Sequence, residues 1–326
     1  MNILAKTREI NVINPEQKSW DDYVLEANKK SWFLNPDEPH PFVGLSIESA
    51  GAPRVSLGRI ALAGNMSPNF GDPAETRETW AEIANNNVAN FLKELKIPPE
   101  KVKILRPQLD YRDTKDPMQI INVDEVPFDL ESKTGASLQK RADFAYTRDM
   151  TTVLAIKPGD CPIITAFGKT DEGPIFCMTH IPWPGADSKD SESGGYIDQM
   201  TAYYKQLGID LNSLRLNVSC GARAKSYLYN FADNPLQDNP GKEQLFKDVK
   251  KGDDGRFYCC IDTPVYIREQ LLKNGFSEYQ IYQDPTDTAS QDCGHSSNSR
   301  ASRNKVNGEI NTRDILVASP TDYPNL

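Results

Sequence analysis

Two short runs of apolar and β-branched residues, Ile163-Ile164-Thr165-Ala166-Phe167 and Ile175-Phe176-Cys177-Met178-Thr179, flank a polar stretch that holds Gly168, Asp171, Gly173 and Pro174. Runs of this length divided by turn formers specify a β-hairpin. With the turn centred near Thr170 and Asp171, Cys161 at the start of the first strand falls across from His180 at the end of the second. Directly opposed cross-strand residues have Cβ atoms about 4.5–5.5 Å apart. One thiol and one imidazole therefore share one end of a rigid element, which suits either a shared metal or a Cys-His nucleophile pair. The structural alternative is a buried Cys acting as a small hydrophobe beside a surface His.

Composition narrows the partners. A chain of 326 residues, 38% hydrophobic, can bury a full core as one large α/β domain or two average ones. A net charge of -9 and a pI near 5.0, with no basic stripe, exclude a nucleic-acid binder, because phosphate contacts need a concentrated basic face. No apolar stretch approaches the ~20 residues that span a bilayer, and Met1 to Asn14 lack the apolar run of a signal peptide. No membrane partner is expected, and the expected location is cytoplasmic. Cysteines 161, 177, 220, 259, 260 and 293 form no C-x-x-C unit, so reduced thiols are expected rather than a disulfide framework. Cys259-Cys260 sit in an apolar run and read as structural. Asn65-Met66-Ser67 and Asn217-Val218-Ser219 match a glycosylation pattern, but nothing signals the secretion that this chemistry needs.

Residues 1–40 are polar and broken by Pro15, Pro36 and Pro39, and read as an N-terminal extension with a short helix near Trp20 to Ala27. Residues 41–326 read as a single α/β domain. Strands are expected at Phe42 to Ile47, Val55 to Ala63, Val102 to Leu105, Gln119 to Val123 and Thr151 to Ile156. Trp80, Ala84, Val88, Phe91, Leu92 and Leu95 fall on one helical stripe that ends before Pro98-Pro99. Tyr196, Ile197, Met200, Tyr203, Tyr204 and Leu207 mark a second helix, stopped by Gly208. A third starts at Thr263-Pro264, with Thr263 as N-cap and Pro264 at N1, and runs to Lys273 with Gly275 beyond it. Interleaved strands and helices without a clear linker specify an α/β sandwich. Gln283 to Asn307, rich in Ser, Asn, Asp and Arg, reads as a surface loop.

Several short motifs occur in a telling order. Val55-Ser56-Leu57-Gly58, Asn65 and Gly71-Asp72-Pro73 precede an Asn-containing helix; Ala142-Asp143-Phe144-Ala145-Tyr146-Thr147, Asp160-Cys161-Pro162 and His180-Ile181-Pro182-Trp183-Pro184-Gly185 follow. Then come Ser219-Cys220-Gly221 through Tyr227, Ile261-Asp262 opening a helix that ends Leu-Leu-Lys-Asn-Gly, Thr288, and Ser297 to Arg300 followed by Gly308. In this order the chain resembles the laccase-domain proteins, also called the polyphenol oxidase or type 4 copper-oxidase family, over roughly residues 42 to 318.

The resemblance implies an α/β/β/α sandwich with mixed sheets and a His, Cys and His site that holds zinc. It also implies purine nucleoside chemistry: phosphorolysis of adenosine, inosine or guanosine, and adenosine deamination. The substrates it implies are therefore a purine nucleoside and phosphate. The family's Asp-Cys-x-Pro pattern falls on Cys161, and the His of its His-x-Gly-Trp-Arg-Gly pattern falls on His180. The same pair emerges from the hairpin spacing.

The chain also departs from the pattern. The family's first His, in Gln-x-His-Gly, should follow Arg106-Pro107-Gln108-Leu109, where Asp110 and Tyr111 stand instead. Only His40, His180 and His295 occur in the sequence. Carboxylate oxygens are ordinary zinc ligands, so Asp110, Cys161 and His180 form a three-ligand set that leaves a fourth position for water. Pro184 and Glu309 stand where the family has Arg, which removes two cations that would meet a phosphate. Arg300, with Arg303 and Lys305 nearby, supplies part of that loss. Trp183 is a candidate for stacking on a base, with packing as its alternative. Asn65 is a candidate ligand contact, with turn formation beside Gly64 as its alternative. Cys293 and His295 read as solvated loop residues, and Cys220 as a buried thiol.

Three functions fit these residues. The first is a zinc-dependent purine nucleoside enzyme of the phosphorylase or adenosine deaminase type. The second is a divergent laccase-domain protein without catalysis, acting as a binding or regulatory module. The third is a metal-free hydrolase with Cys161 as nucleophile and His180 as base.

Overall fold

A computed structural model describes residues 97–107, 118–186 and 194–289 apart from short breaks at 127, 132–134, 220, 225–226, 239–241 and 284–286. It also describes residues 12–13, 46–47, 59–67 and 313–319 and helical positions 85, 88–89 and 92–93. In chain order the strands are β1 (Val12–Ile13), β2 (Ser46–Ile47), β3 (Arg59–Ser67), β4 (Val102–Arg106), β5 (Ile120–Asn122), β6 (Phe128–Glu131), β7 (Gly135–Arg141), β8 (Phe144–Thr147) and β9 (Val153–Ile156). They continue with β10 (Ile163–Thr170), β11 (Gly173–His180), β12 (Arg215–Val218), β13 (Leu228–Phe231), β14 (Phe246–Lys251), β15 (Phe257–Ile261), β16 (Ile281–Gln283) and β17 (Arg313–Ser319).

Two six-stranded sheets dominate, ordered β3-β17-β9-β4-β7-β6 and β16-β12-β10-β11-β8-β5. Both are mixed: β4 runs parallel to β7 and β9 while β17 runs antiparallel to β3 and β9, and in the second sheet β12–β16 and β5–β8 are the parallel pairs. A three-stranded antiparallel sheet, β13-β15-β14, and the short parallel pair β1–β2 complete the described strands.

The strand burial follows from this stacking. Leu105, Leu138, Leu154, Ile156 and Leu316 of the first sheet pack with Ala145, Ile163, Phe167, Phe176 and Met178 of the second in one buried layer. The opposite face of the first sheet, Val102, Ile104, Val153, Ala155 and Val317, meets Val88 and Leu92 of the first helix. The opposite face of the second sheet, Ile164, Ala166, Ile175 and Cys177, meets Ile197, Met200 and Tyr204 of the helix Tyr196–Gln206 and Ile267 and Leu271 of the helix Thr263–Lys273. The order is helix, sheet, sheet, helix, an α/β/β/α sandwich. With both faces covered, β9, β10 and β11 read as continuous apolar runs rather than alternating ones.

Two expectations shift by small steps. The hairpin connection is Asp171–Glu172, with Gly173 taking the left-handed φ of +120°, and the register pairs Ile163 with His180. Cys161 therefore lies two residues before the residue opposite His180. In the third helix the cap is Asp262, whose carboxylate accepts from the Val265 N–H at 3.2 Å, so Thr263 is the first helical residue and Pro264 the second. Asp outcompetes Thr here because its carboxylate also meets the helix dipole. The stripe helix, by contrast, is seen as expected where it is described, with Val88 and Leu92 buried. Gly208 and Gly275 take φ of +70° and +91° beyond the ends of their helices. Among the described residues, no helix is long and apolar enough to cross a membrane, and Cys161, Cys177, Cys259 and Cys260 form no disulfide.

Candidate active site

The site forms where β11 ends beside the starts of β8 and β10. β11 pairs with β8 up to Thr179↔Phe144, and the His180 N–H continues the ladder by donating to the Asp143 carbonyl at 2.7 Å. His180 and Asp143 thus occupy opposed cross-strand positions, which puts their side chains on one face. The imidazole Nδ1 lies 3.0 Å from Asp143 Oδ1, both groups being buried. The other carboxylate oxygen accepts from the Tyr196 hydroxyl at 3.3 Å.

Cys161 approaches from the other neighbour of β11. The Ile181 N–H donates to the Pro162 carbonyl at 3.0 Å, so the pairing runs one step past the strand end and Cys161 sits diagonally from His180. A slip of two residues from the expected register keeps the thiol on the same face; a slip of one would have turned it away. The thiol lies close enough to the imidazole to raise its pKa. With Nδ1 committed to Asp143, Nε2 is the nitrogen left for sulfur.

Charge at the ring follows from these neighbours. Burial by itself would depress the His180 pKa, but the hydrogen bonds and negative charge supplied by Asp143 and Cys161 outweigh it and raise the value to about 9. The metal-free ring is therefore an imidazolium at neutral pH.

The Asp160-Cys161-Pro162 segment is strapped from outside the hairpin. The Ala222 N–H donates to the Asp160 carbonyl at 3.0 Å, and the Thr288 hydroxyl donates to Asp160 Oδ1 at 2.9 Å. Gly221 makes this possible: a Cβ there would stand 2.7 Å from Pro162 Cγ and 3.0 Å from the Asp160 carbonyl oxygen. Gly221→Ala is expected to cost about 1–3 kcal/mol by overpacking against backbone, measured by chemical denaturation. Stability within about 0.5 kcal/mol of wild type would show that the strap yields freely.

An aromatic wall borders the thiol. The Tyr227 hydroxyl is hydrogen-bonded to the Trp183 indole, and burial followed by the proximity of Cys161 and Asp160 raises its pKa, so the phenol stays protonated. Trp183 is half-buried, with Tyr229, Phe231 and Phe246 around it at ring-centroid distances of 5.3, 5.8 and 6.2 Å in edge-on geometry. Its packing role is thus visible directly.

The structure brings together Cys161, His180 and, through Tyr227, Trp183. Asn65 lies in β3 rather than in a turn. Asp110, Cys220, Cys293, His295, Arg300 and Glu309 lie outside the described residues, as does the expected helix near Trp20 to Ala27. Arg106 and Pro107, which lead into the Asp110 segment, are tied beside the site: the Ala142 N–H donates to the Arg106 carbonyl at 2.9 Å and Arg141 Nη1 to the Pro107 carbonyl at 2.9 Å. Among the described residues, no set of three or more His, Cys, Asp or Glu side chains converges as a metal cage. The donor chemistry nevertheless fits zinc: one thiol, one imidazole, and a carboxylate on the far ring nitrogen that orients the ligand. Sequence reasoning missed Asp143, Tyr196 and Tyr227 as site residues. Asp143 was detectable as an acidic residue directly before the apolar run Phe144-Ala145-Tyr146; Tyr196 and Tyr227 carry no comparable signal.

The fold built this way defines a class. The chain superposes on YfiH of Bacillus licheniformis, a hypothetical protein, with a TM-score of 0.54 at 12% identity, covering 80% of this chain and 92% of that one. It is similarly close to YlmD of Geobacillus stearothermophilus (TM-score 0.54, 16% identity, 82% and 94% covered) and to NMB0706 of Neisseria meningitidis, described by the family model DUF152 (0.52, 13%, 85% and 98%). No protein-family model matches the sequence, and no curated protein is significantly similar to it. The fold is that of the laccase-domain proteins YfiH, YlmD and NMB0706.

Proposed function

We propose that this chain is a zinc-dependent enzyme acting on purine nucleosides. The observation that carries the reading is the Asp143–His180–Cys161 arrangement, in which a buried carboxylate holds one nitrogen of a buried ring beside a half-buried thiol. Cys161 and His180 would hold the metal, with Asp110 as the third ligand by its place in the motif order. Zinc, when bound, supplies a Lewis acid and lowers the pKa of a coordinated water. The chain's own residues prepare the rest. Asp143 keeps the His180 ring fixed, and the protonated Tyr227 phenol near Cys161 offers a hydrogen-bond donor. Purine nucleosides as substrate class rest on the resemblance to laccase-domain proteins.

Pro184 and Glu309 bias the choice of nucleophile. Phosphate needs its charge balanced, whereas water needs only the metal and a proton acceptor. Incubation with adenosine, with and without phosphate, is therefore expected to give a higher ratio of inosine to adenine plus ribose 1-phosphate than a relative that retains both Arg residues. Phosphate-dependent adenine release equal to that of such a relative would overturn this expectation. No turnover of any nucleoside by zinc-loaded protein would favour a non-catalytic binding or regulatory module.

One observation supports a second reading. Thiol, imidazole and carboxylate in series are also the nucleophile, base and orienter of a Cys-His hydrolase. In that reading alkylation of Cys161 abolishes activity while chelation does not; in the zinc reading chelation abolishes it.

A further inference from the structure

We propose that Tyr196 and Asp143 act together as positioning residues for the Cys161–His180 pair, fixing the His180 proton on Nδ1 and presenting Nε2 to the thiol. The inference rests on the reading of Cys161 and His180 as the working pair. An imidazole has two inequivalent nitrogens, and the hydrogen bond made by one determines what the other offers. An ionised carboxylate only accepts, so a ring nitrogen 3.0 Å from Asp143 Oδ1 must carry the proton. Asp143 is wholly buried, and its two carboxylate oxygens are held by different groups. His180 lies on Oδ1 at 3.0 Å and the Tyr196 hydroxyl donates to Oδ2 at 3.3 Å.

Tyr196 is itself placed by a closely specified helix start. Gly194 has φ of +77°, and a Cβ there would stand 2.7 Å from Asp198 Oδ2. That carboxylate accepts from the Gly195 N–H at 3.0 Å through Oδ2 and from Asn274 Nδ2 at 2.9 Å through Oδ1. Gln199 accepts from the Met118 N–H at 2.7 Å and donates to the Gly194 carbonyl at 2.9 Å. The first turn of the helix is thus latched to the segment before β5 and to the end of the helix Thr263–Lys273. The phenol reaches the carboxylate from a rigid support rather than from a loop.

The test uses the full chain labelled with 15N-histidine. The sequence has three histidines, so a His180→Gln spectrum assigns the ring. Long-range 1H–15N correlations on the alkaline side of the His180 titration are expected to show Nδ1–H in wild type and in Asp143→Glu. In Asp143→Asn they are expected to show the Nε2–H form or a mixture, and in Tyr196→Phe a partial shift toward it. Zinc affinity, read by chelator competition, is expected to fall about 10–100-fold in Asp143→Asn and less in Tyr196→Phe. Nε2–H in the wild-type ring, or Nδ1–H unchanged in Asp143→Asn and Tyr196→Phe despite lowered Tm values, would overturn the proposal and leave both residues as packing elements. Failure of wild type to bind zinc would defeat the metal reading alone, since ring protonation is read without metal.

Discussion

Asp143→Ala is expected to destabilise the metal-free protein by about 3–5 kcal/mol near neutral pH, the range for removing one partner of a buried ion pair. The carboxylate and the imidazole are both buried and 3.0 Å apart, and the imidazole is charged because the carboxylate is there. Alanine forces the buried ring either to keep its charge without this partner or to give up its proton, and removes the acceptor of the Tyr196 hydroxyl. Well above pH 9, where the ring is neutral, the cost should shrink to the roughly 1–3 kcal/mol of a neutral hydrogen bond lost in the interior. Urea unfolding of both proteins in the presence of a chelator measures this. A loss under 1 kcal/mol at neutral pH would show that the pair contributes nothing net.

The wild-type protein should show the matching pH dependence. The folded-state His180 value, about 9, lies above the 6.5 of a free imidazole, so the folded protein binds the proton more tightly than the unfolded chain. The resulting stabilisation is complete below about pH 6.5 and is lost as pH rises through about 9. Its size is on the order of 3 kcal/mol, each pKa unit being worth about 1.36 kcal/mol. His180→Gln should flatten that part of the profile. An unchanged slope between pH 6.5 and 9 in the variant would assign the loss to other groups. Zinc competes for the same ring, so its affinity should rise with pH over this window.

Much of this architecture is legible in the sequence because burial leaves plain marks. Val88 and Leu92 on their stripe, the apolar runs of β10 and β11, and Gly208 and Gly275 after their helices each follow from a local rule. The α/β/β/α order came from the motif resemblance. The strands β13 and β14 were missed because their residues are exposed or alternate irregularly, and Leu228, Tyr229 and Asn230 face solvent. β7 ends in Gln139-Lys140-Arg141, which reads as a polar connection until its pairing with β4 is seen.

The site was legible in half. The pairing of Cys161 with His180 was legible because misplacing the turn by one residue shifts the register by two, which preserves the face. Asp143 and Tyr196 reach the ring from separate elements, and only the meeting of β8 with β11 and the latched helix start brings them there. No periodicity in one segment encodes such a convergence.

Zinc analysis of the purified chain tests the account most directly, comparing wild type with Cys161→Ala, His180→Ala and Asp110→Ala. The account predicts about one zinc per chain in wild type, loss of bound metal in the first two variants with the fold retained, and weaker retention in the third. A wild-type protein that takes up no zinc, or a Cys161→Ala variant that holds it as tightly as wild type, would contradict it.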